Sequence, residues 1–350
     1  MIGIDLFSGA GGMSVGAGWS GIKVIAAVEA DHHATATYSH NHKGGKVLAK
    51  DIKDVKVSDF GVRDKSEPLI MFGGPPCQGF STSNQRTRSS ANPLNWLYRE
   101  YVRLVAEVLP EWLVFENVRG LLETENGVFL EYVIKDLKGL GYNLSWDVLN
   151  AKDFGVPQDR SRLFIIGSLT NVNVKMPTPK TRTPITVKDA ISDLPKLKNG
   201  ASENTLLYRG DPNSDYAKKL RGRLTKTSNH IVTRNASYII ERYGYIPQGG
   251  NWENIPEHLM DNYTDRSRCH TGIYYRLKYS EPSVVIGNFR KNMVVHPTQN
   301  RGLSVREAAR LQSFPDWFEF KGSIGFQQQQ VGNAVPPLLA QAVFDVIVNS

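Results

Sequence analysis

The stretch "DLFSGAGGMSVG" at residues 5–16 carries the end of an apolar run into a glycine-rich turn. The run that precedes and enters it, "IGIDLF", has the composition of a short buried strand. Glycines in such a turn let the backbone bend sharply and approach a ligand closely. The dinucleotide fingerprint G-x-G-x-x-G would need its third glycine at Ser14, so this turn does not match one built around a pyrophosphate.

Strand and helix patterns alternate through the first 170 residues. Further apolar runs that predict buried strands are "KVIAAVEA" (23–30), "PLIMFGG" (68–74), "EWLVFEN" (111–117) and "RLFIIGS" (162–168). Amphipathic helices are predicted at 97–109 and 127–141. This alternation predicts an α/β fold with a mostly parallel, doubly wound sheet that is covered on both faces.

The pattern changes near residue 175, where "KMPTPKTRTPI" is typical of a linker. The segment that follows has little periodicity but too many large apolar and aromatic residues to be disordered. Order returns near residue 303, where Ser304 and Glu307 have capping-box spacing. We therefore predict one domain from residues 1–175 plus 322–350, and a smaller loop-rich domain with a hinge at 176–321.

Charge is unevenly distributed. Between Lys175 and Arg301 there are 21 Lys and Arg against 11 Asp and Glu, a surplus of ten positive charges in a chain of net charge +8, so the remainder carries −2. A basic segment on a neutral body is typical of a module that binds a polyanion, although a solvated surface without a partner would look the same. The two cysteines cannot build a disulfide framework, and the beginning lacks a basic n-region, so we expect a soluble cytoplasmic protein without a membrane segment.

Acidic residues end the next two predicted segments. Glu29 lies 20 residues after Gly9, where a carboxylate of a doubly wound fold binds ribose hydroxyls, and Asp51 ends "VLAKD". Together they predict a ligand that contains adenosine and makes no demand for phosphate binding. The alternative is an ordinary strand–turn–helix connection with a surface glutamate.

A cysteine follows the predicted strand at 68–74, inside "GGPPCQGFS". The prolines stiffen this turn and the glycines keep it open, which suits a nucleophile; a small buried apolar residue is the alternative for Cys77. Glu116 ends a neighbouring strand and could share the site, or it could be a surface carboxylate or a partner of Arg160. Alternation along an extended chain places Gln158, Arg160 and Arg162 on one face, where they would supply donors to the same pocket.

The ordered set of motifs resembles the cytosine-C5 DNA methyltransferases that depend on S-adenosylmethionine, of the bacterial restriction-modification type. The resemblance rests on "DLFSGAGG", Glu29, Asp51, "GGPPCQGFS", "ENV", "QDRSR", "LSVREAARLQSFP" and "QVGNAVPP", in that order. It covers nearly the whole chain except the basic insert. It implies a Rossmann-like class I methyltransferase fold, with the second, smaller loop-rich domain acting in target recognition. One departure is "FQQQQ", where the family often has a basic residue.

The resemblance also implies roles for particular residues. Cys77 would attack C6 of a cytosine that has been flipped out of the duplex. Glu116 would hold a proton on or near N3, and Arg162 would contact O2. Asn117 would shape the turn, and Arg160 would orient Glu116. No metal ligand is implied.

Binding residues follow from the same resemblance. The cofactor S-adenosylmethionine, which becomes S-adenosylhomocysteine, would contact Phe7, Gly9, Ala10, Gly11, Gly12, Glu29, Asp51, Ile52, Pro76, Leu97, Asn333 and Ala334. DNA would contact Gln78, Ser81, Arg86, Arg88 and Gln158, the arginines within a mobile loop at 81–95 that closes on the duplex.

We therefore expect a DNA (cytosine-5-)-methyltransferase that acts as a monomer on one short duplex sequence, with a cognate restriction endonuclease as a further partner to consider. A tRNA cytosine-C5 methyltransferase with the same chemistry is the alternative, and the large basic insert favours duplex DNA. A non-catalytic DNA-binding protein is disfavoured by Cys77, Glu116 and Arg162. A nicotinamide oxidoreductase is disfavoured by Ser14. The recognition sequence is not readable from the chain.

Overall fold

The computed structural model describes residues 1–62, 67–76, 96–123, 127–170, 172, 174–179, 183–261, 271–287, 289 and 294–350. Contacts divide the chain into two compact units. Unit 1 contains Met1–Phe154, Ser161–Lys180 and Val335–Ser350, and unit 2 contains Gly155–Arg160 and Thr181–Ala334. The sequence predicts the second domain at 176–321, whereas residues 322–334 and the short segment 155–160 also lie in unit 2.

Unit 1 is built on a seven-stranded sheet in the order β3-β2-β1-β4-β5-β7-β6. The first five strands in chain order are parallel, and β7 runs antiparallel to both of its neighbours. The predicted mostly parallel α/β sheet is confirmed. The strands are β1 Ile2–Leu6, β2 Lys23–Glu29, β3 Lys46–Ala49, β4 Leu69–Gly73, β5 Trp112–Val118, β6 Asn143–Asn150 and β7 Ser161–Ser168.

Both units contain helices. Those in the described part of the chain are α1 Gly12–Trp19, α2 His32–Asn41, α3 Tyr98–Val108, α4 Gly120–Glu123, α5 Val128–Gly139, α6 Val187–Ile191, α7 Asp215–Arg221, α8 Ser237–Gly244, α9 Val305–Leu311, α10 Ile324–Asn333 and α11 Pro337–Val348. Short two-residue strands complete unit 2: β8 Leu206–Leu207, β9 Lys226–Thr227, β10 Tyr275–Arg276 and β11 Val294–Val295.

The core of unit 1 is apolar and follows the sequence pattern. The central strands β4 and β5 are buried along almost their whole length, and α3 contributes Tyr101, Leu104 and Val105. Helix α11 packs closely on α1. A Cβ placed on Gly16 would stand only 2.7 Å from the Cβ of Ala340. The close approach of the two helices therefore requires glycine at this position.

Unit 2 contains less regular structure and more buried charge. The predicted capping box is confirmed at the start of α9, where Glu307 N donates to Ser304 Oγ at 3.0 Å and Ser304 N donates to a Glu307 carboxylate oxygen at 2.8 Å. The Arg301 guanidinium forms a two-point ion pair with the same carboxylate at 2.8 and 2.7 Å. The arginine charge lowers the pKa of Glu307 although burial opposes this.

One stretch, Ile324–Val348, has the length and composition of a membrane span. It is two helices, since Ala334 has an extended backbone between α10 and α11, and its most apolar part is 72% buried in the protein. Most of this stretch is buried inside the protein, and buried core helices have the same length and composition as a membrane span.

Candidate active site

The glycine turn after β1 has the backbone that its sequence predicts. Phe7, Gly9 and Gly11 have positive φ angles of 56°, 53° and 97°. Among the residues that the structure describes, nothing lies within 4 Å of a Cβ placed on Gly9, whereas a Cβ on Gly11 would overlap the ring of His42. Gly9 is therefore unobstructed by the described residues, and Gly11 is required by close packing.

Glu29 ties the end of β2 to this turn. Gly9 N donates to Glu29 Oε2 at 2.8 Å, and Asp31 N donates to Glu29 Oε1 at 2.8 Å. Burial raises the pKa of Glu29, and these two backbone donors oppose the shift. Each oxygen keeps a lone pair for another donor, so the carboxylate can both shape the loop and accept a ligand hydroxyl.

A buried polar cluster lies below the turn and was not predicted from the sequence. Ser14 Oγ donates to Asp5 Oδ2 at 2.6 Å and lies 2.7 Å from Tyr38 Oη. Burial raises the pKa of Asp5 to about 8, so this carboxyl group is protonated at neutral pH. The ring of His42 lies against that of Tyr38, with centroids 4.2 Å apart, and burial lowers the pKa of His42 to about 4. The one signal in the sequence was an acidic residue inside an otherwise apolar strand.

The other residues that we predict to bind the cofactor differ in their burial, and they are divided between the two units. Within unit 1, Ala10, Gly12 and Ile52 are buried, Phe7, Pro76 and Leu97 are half-buried, and Asp51 is exposed. Asp51 Oδ1 accepts a hydrogen bond from Lys53 N at 3.0 Å at the start of a 3-10 turn. Asn333 and Ala334 belong to unit 2, where Asn333 is exposed at the end of α10.

Glu116 and Arg162 form the central ion pair of the site. Glu116 lies near the end of β5, and Arg162 lies near the start of the antiparallel strand β7. Arg162 Nε is 3.1 Å from Glu116 Oε1, with side chains that are 14% and 10% exposed. Burial lowers the pKa of Arg162, and the Glu116 charge opposes this shift. The two side chains are therefore mostly buried and are held by each other.

Glycine is needed beside this pair. A Cβ on Gly74 would stand 2.5 Å from Glu116 Oε2, so any larger residue would displace the carboxylate. Asn117 Nδ2 donates to Pro75 O at 3.1 Å and fastens the end of β5 to the turn that follows β4. Pro75 thus lies close to the end of β5. Cys77, Gln78, Ser81, Arg86 and Arg88 lie outside the described residues.

Gln158 and Arg160 have different surroundings from those we expected. Gln158 is fully buried in unit 2, where its amide donates to Leu311 O at 3.1 Å and to Gln312 Oε1 at 2.9 Å. Contact with DNA would require Gln158 to leave these bonds. The Arg160 guanidinium donates to three carbonyl groups of unit 2, those of Ile286, Gly332 and Ala334.

Gln158 and Arg160 contact the same residue, because Ile286 N donates to Gln158 Oε1 at 2.9 Å and Arg160 Nη1 donates to Ile286 O at 3.3 Å. Strand β7 begins at Ser161, and the common face of residues 158, 160 and 162 stays a prediction. The carboxylate beside Arg162 is Glu116, and Arg160 donates to main-chain carbonyl groups. The role that the resemblance implies for Arg160, orientation of Glu116, stays a prediction.

A cavity of about 740 Å³ opens elsewhere, along Lys138, Gly141, Tyr142, Asn143 and Leu144. It lies near the start of β6, and the register pairs that end of the sheet with the start of β5, away from Glu116. Among the described residues, no group of three His, Cys, Asp or Glu side chains could hold a metal ion.

Comparison with known proteins agrees with this arrangement. The family model for C-5 cytosine-specific DNA methylases matches residues 1–349. The chain is 38% identical to the Type II methyltransferase M1.HphI of Haemophilus parahaemolyticus, over 99% of this chain and 86% of the relative. It is 33% identical to the Type II methyltransferase M.DdeI of Desulfomicrobium norvegicum, over 98% of this chain and 88% of the relative.

A solved structure supports the same assignment. A prophage-encoded protein of E. coli, described as a DNA modification methyltransferase, superimposes with a TM-score of 0.81 at 28% identity, covering 100% of this chain and 99% of its own. The strand order, the glycine turn and the Glu116–Arg162 pair thus occur in a chain that matches one family along its whole length. The chain belongs to the C-5 cytosine-specific DNA methylase family and has DNA (cytosine-5)-methyltransferase activity.

Proposed function

We propose that the protein methylates C5 of one cytosine within a short, specific duplex sequence, through a transient bond between the Cys77 sulfur and C6 of the base. The observation that carries this proposal is the Glu116–Arg162 ion pair beside the bare Gly74 turn that leads to Cys77. In this pair, Glu116 would serve as the acid at N3 of the cytosine ring, and Arg162 would place a positive charge at the carbonyl oxygen O2.

The chemistry requires both groups. C5 of cytosine is a weak nucleophile, and addition of a thiolate at C6 turns it into an enamine carbon. Covalent catalysis of this kind divides one difficult step into easier ones. S-adenosylmethionine supplies an electrophilic methyl group on its sulfonium. After C5 has been methylated, loss of the C5 proton expels the Cys77 thiolate and restores the aromatic ring.

The residues of the chain then have distinct tasks. A proton held by Glu116 at N3 neutralises the charge that builds on the ring as sulfur adds, and Arg162 stabilises O2. The ion pair fixes the Glu116 carboxylate before the base arrives, which limits the reorganisation needed during the reaction. Asn117 supports the turn through its bond to Pro75 O. Because C6 is covered in a stacked duplex, the base must leave the helix to reach these groups.

The cofactor site that we propose fits the residues present. Open space over Gly9 leaves room for a ligand next to the turn. Glu29 has free lone pairs at the edge of β2, where ribose hydroxyls bind in this fold class. Asp51 is exposed near the end of β3 and is available to an adenine edge. The roles of Pro76, Leu97, Asn333 and Ala334 toward the cofactor remain predictions.

DNA is the proposed substrate, and the relatives' names favour it over tRNA, since M1.HphI and M.DdeI are called Type II methyltransferases. The same names suggest a restriction endonuclease of matching specificity as a partner. We further propose that unit 2 contains the target-recognition residues. Action as a cytoplasmic monomer remains our expectation.

The experiment replaces Cys77 with serine and measures transfer of labelled methyl groups to duplex DNA. We expect transfer to be lost, because a hydroxyl group adds far more weakly to C6, while binding of S-adenosylmethionine is retained. Duplex DNA that contains 5-fluorocytosine should form a covalent adduct with the unmodified protein but not with the Cys77→Ser variant. Transfer by the Cys77→Ser variant at the original rate would overturn the proposal, and tRNA in place of DNA tests the alternative substrate.

A matched variant, Glu116→Gln, tests the ion pair. It retains the shape of the side chain but removes its charge, so it cannot hold the N3 proton or pair with Arg162. We expect the rate of methyl transfer to fall by about 10²–10⁴-fold, the range for loss of general acid–base catalysis. An unchanged rate would show that Glu116 has no catalytic role.

A further inference from the structure

A run of cations in unit 2 has no part in the chemistry proposed above. The sequence "KKLRGRLTK" at 218–226 covers the end of α7, the following turn and the start of β9. Four of its charged side chains are exposed. We name these four the cationic ridge: Lys218, Lys219, Arg223 and Lys226.

The ridge rests on a rigid base. Arg221 stacks on the ring of Tyr208 with its guanidinium 3.9 Å from the centroid, and it donates to Gly210 O at 2.6 Å and Leu224 O at 3.0 Å. Tyr216 Oη donates to the main-chain carbonyl of Arg310 at 2.6 Å and fastens α7 to α9. The backbone that presents the cations is therefore held from both sides.

Local electrostatics account for only part of the ridge. Lys218 and Lys219 lie in the last turn of α7, where the helix dipole favours positive charge. Arg223 and Lys226 lie beyond the helix and gain nothing from the dipole. Within the part of the chain that the structure describes, no carboxylate lies within 4 Å of the charged nitrogens of Lys218, Arg223 or Lys226.

Neighbouring residues divide into paired and exposed charges. The nearest carboxylates along the chain are Asp211 and Asp215, and Asp215 begins α7, three residues before Lys218 and four before Lys219. Asp193 is buried and is already 3.6 Å from Arg221 and 3.1 Å from Arg310. The neighbouring Arg221 is thus neutralised, whereas Lys218, Arg223 and Lys226 present their charges to solvent.

We propose that the cationic ridge binds phosphates of duplex DNA independently of base sequence, an inference that rests on DNA as the proposed substrate. Exposed lysines and arginines on a fixed backbone release counterions from DNA, and each phosphate contact makes log K fall more steeply with log[salt]. Such contacts raise affinity for any duplex and carry no sequence information. The ridge would thereby hold the protein on DNA while a target is sought.

The test uses the full chain and an alternating A·T duplex, which contains no cytosine and therefore cannot be a substrate. The ridge variant replaces all four cations with glutamine. We expect its affinity at 0.1 M salt to fall by about tenfold or more, and the slope of log K against log[salt] to shrink by about 3.6, since each of the four phosphate contacts contributes about 0.9. The result does not depend on whether Cys77 is the nucleophile.

A matched control loses the same charge elsewhere. It replaces four exposed lysines of unit 1 that do not form a run, and its binding slope should change by less than about one unit. An equal loss in the control, or an unchanged slope in the ridge variant, would overturn the proposal. The control residues are Lys23, Lys43, Lys135 and Lys138.

Two further measurements separate DNA binding by the ridge from a folding defect and from RNA binding. Arg223→Glu and Lys226→Glu lie on exposed positions outside α7, so each should fold and each should lower the slope by about one. On DNA that contains the target, the ridge variant should have a raised KM and the same kcat. Stronger competition by hairpin RNA than by duplex DNA would show that the ridge serves RNA, and the proposal would fail.

Discussion

The two units differ in how they satisfy the backbone groups that they bury. In unit 1, seven strands pair in one sheet, so the backbone supplies its own donors and acceptors and the core between layers is apolar. In unit 2, arginine side chains perform much of this task. The Arg276 guanidinium alone donates to the carbonyl groups of Tyr243, Ile246, His296 and Gln299 and to the side chain of Asn300.

This difference explains why unit 2 can hold long irregular loops in place. A carbonyl group outside regular structure must find a donor when it is buried, and a guanidinium offers five in one plane. Arg276 connects loops that are distant in sequence, whereas a strand connects only to its neighbours. Such a framework tolerates changes in loop length.

The largest expected effect comes from breaking a charged centre of unit 2. Arg310 is fully buried and pairs with Asp316 at 2.6 Å and with Asp193 at 3.1 Å. Arg310→Met would leave two buried carboxylates without their main partner, and we expect a loss of about 3–5 kcal/mol of unfolding free energy. Urea unfolding followed by circular dichroism measures this value.

A surface pair in the same unit provides the control. Lys321 pairs with Glu319 at 2.7 Å, and both side chains are 37% exposed. Lys321→Met should cost no more than about 1 kcal/mol. Equal losses for Arg310→Met and Lys321→Met would contradict the view that buried guanidinium groups hold unit 2 together.

An effect of similar size, but dependent on pH, is expected in unit 1, where Asp5 lies in an otherwise apolar strand. Burial raises its pKa from an ordinary value of 3.8 to about 8, so the folded state retains a proton that the unfolded chain releases near pH 4. The stability contributed by this group is therefore complete below about pH 4 and is lost as pH rises toward 8. Each pKa unit corresponds to about 1.4 kcal/mol.

The variant Asp5→Asn tests this prediction, because its amide is neutral at every pH and can still accept the Ser14 hydrogen bond. Relative to the original protein, the variant should gain stability steadily from about pH 4 to about pH 8. The unfolding free energies of both proteins are measured by urea titration at each pH. A difference that does not change with pH would mean that Asp5 ionises normally in the fold.

The smallest effect concerns the end of α3. Leu109 has a left-handed backbone with φ of 48° and a side chain that is 47% exposed. Asparagine tolerates this conformation better than leucine, so Leu109→Asn should stabilise the protein by about 0.5–1 kcal/mol. A differential scanning calorimetry measurement would detect the higher Tm; a lower Tm would show that the exposed leucine contributes packing that outweighs its strain.

The sequence predicts unit 1 better than unit 2 for a physical reason. Runs of apolar residues located β1, β2, β4, β5 and β7 to within one or two residues of their ends. The apolar pattern does not reveal strand β6, "NLSWDVLN". This strand lies at the edge of the sheet, and only part of its length is buried. The direction of β7 is set by the connection that follows β6, which residue periodicity does not encode.

The site shows the same limit. Glu116 and Arg162 were identified from their positions at strand ends, and the structure brings them together. The need for glycine at residue 74 arises from a contact with Glu116, which is distant in the chain, and no local pattern reveals it. The buried pair of Asp5 and Ser14 depends equally on tertiary contact.

The packing of α11 on α1 affects how the chain can fold during synthesis. Phe344 of α11 contacts Phe72 of β4, with ring centroids 4.9 Å apart, so the last helix covers part of the sheet that was made first. Ribosomes add about 5–20 residues per second, so the 181–334 segment takes roughly ten to thirty seconds to emerge. During that interval the nascent sheet has an uncovered apolar face. Chaperone binding to ribosome-bound chains should therefore persist until α11 has left the exit tunnel.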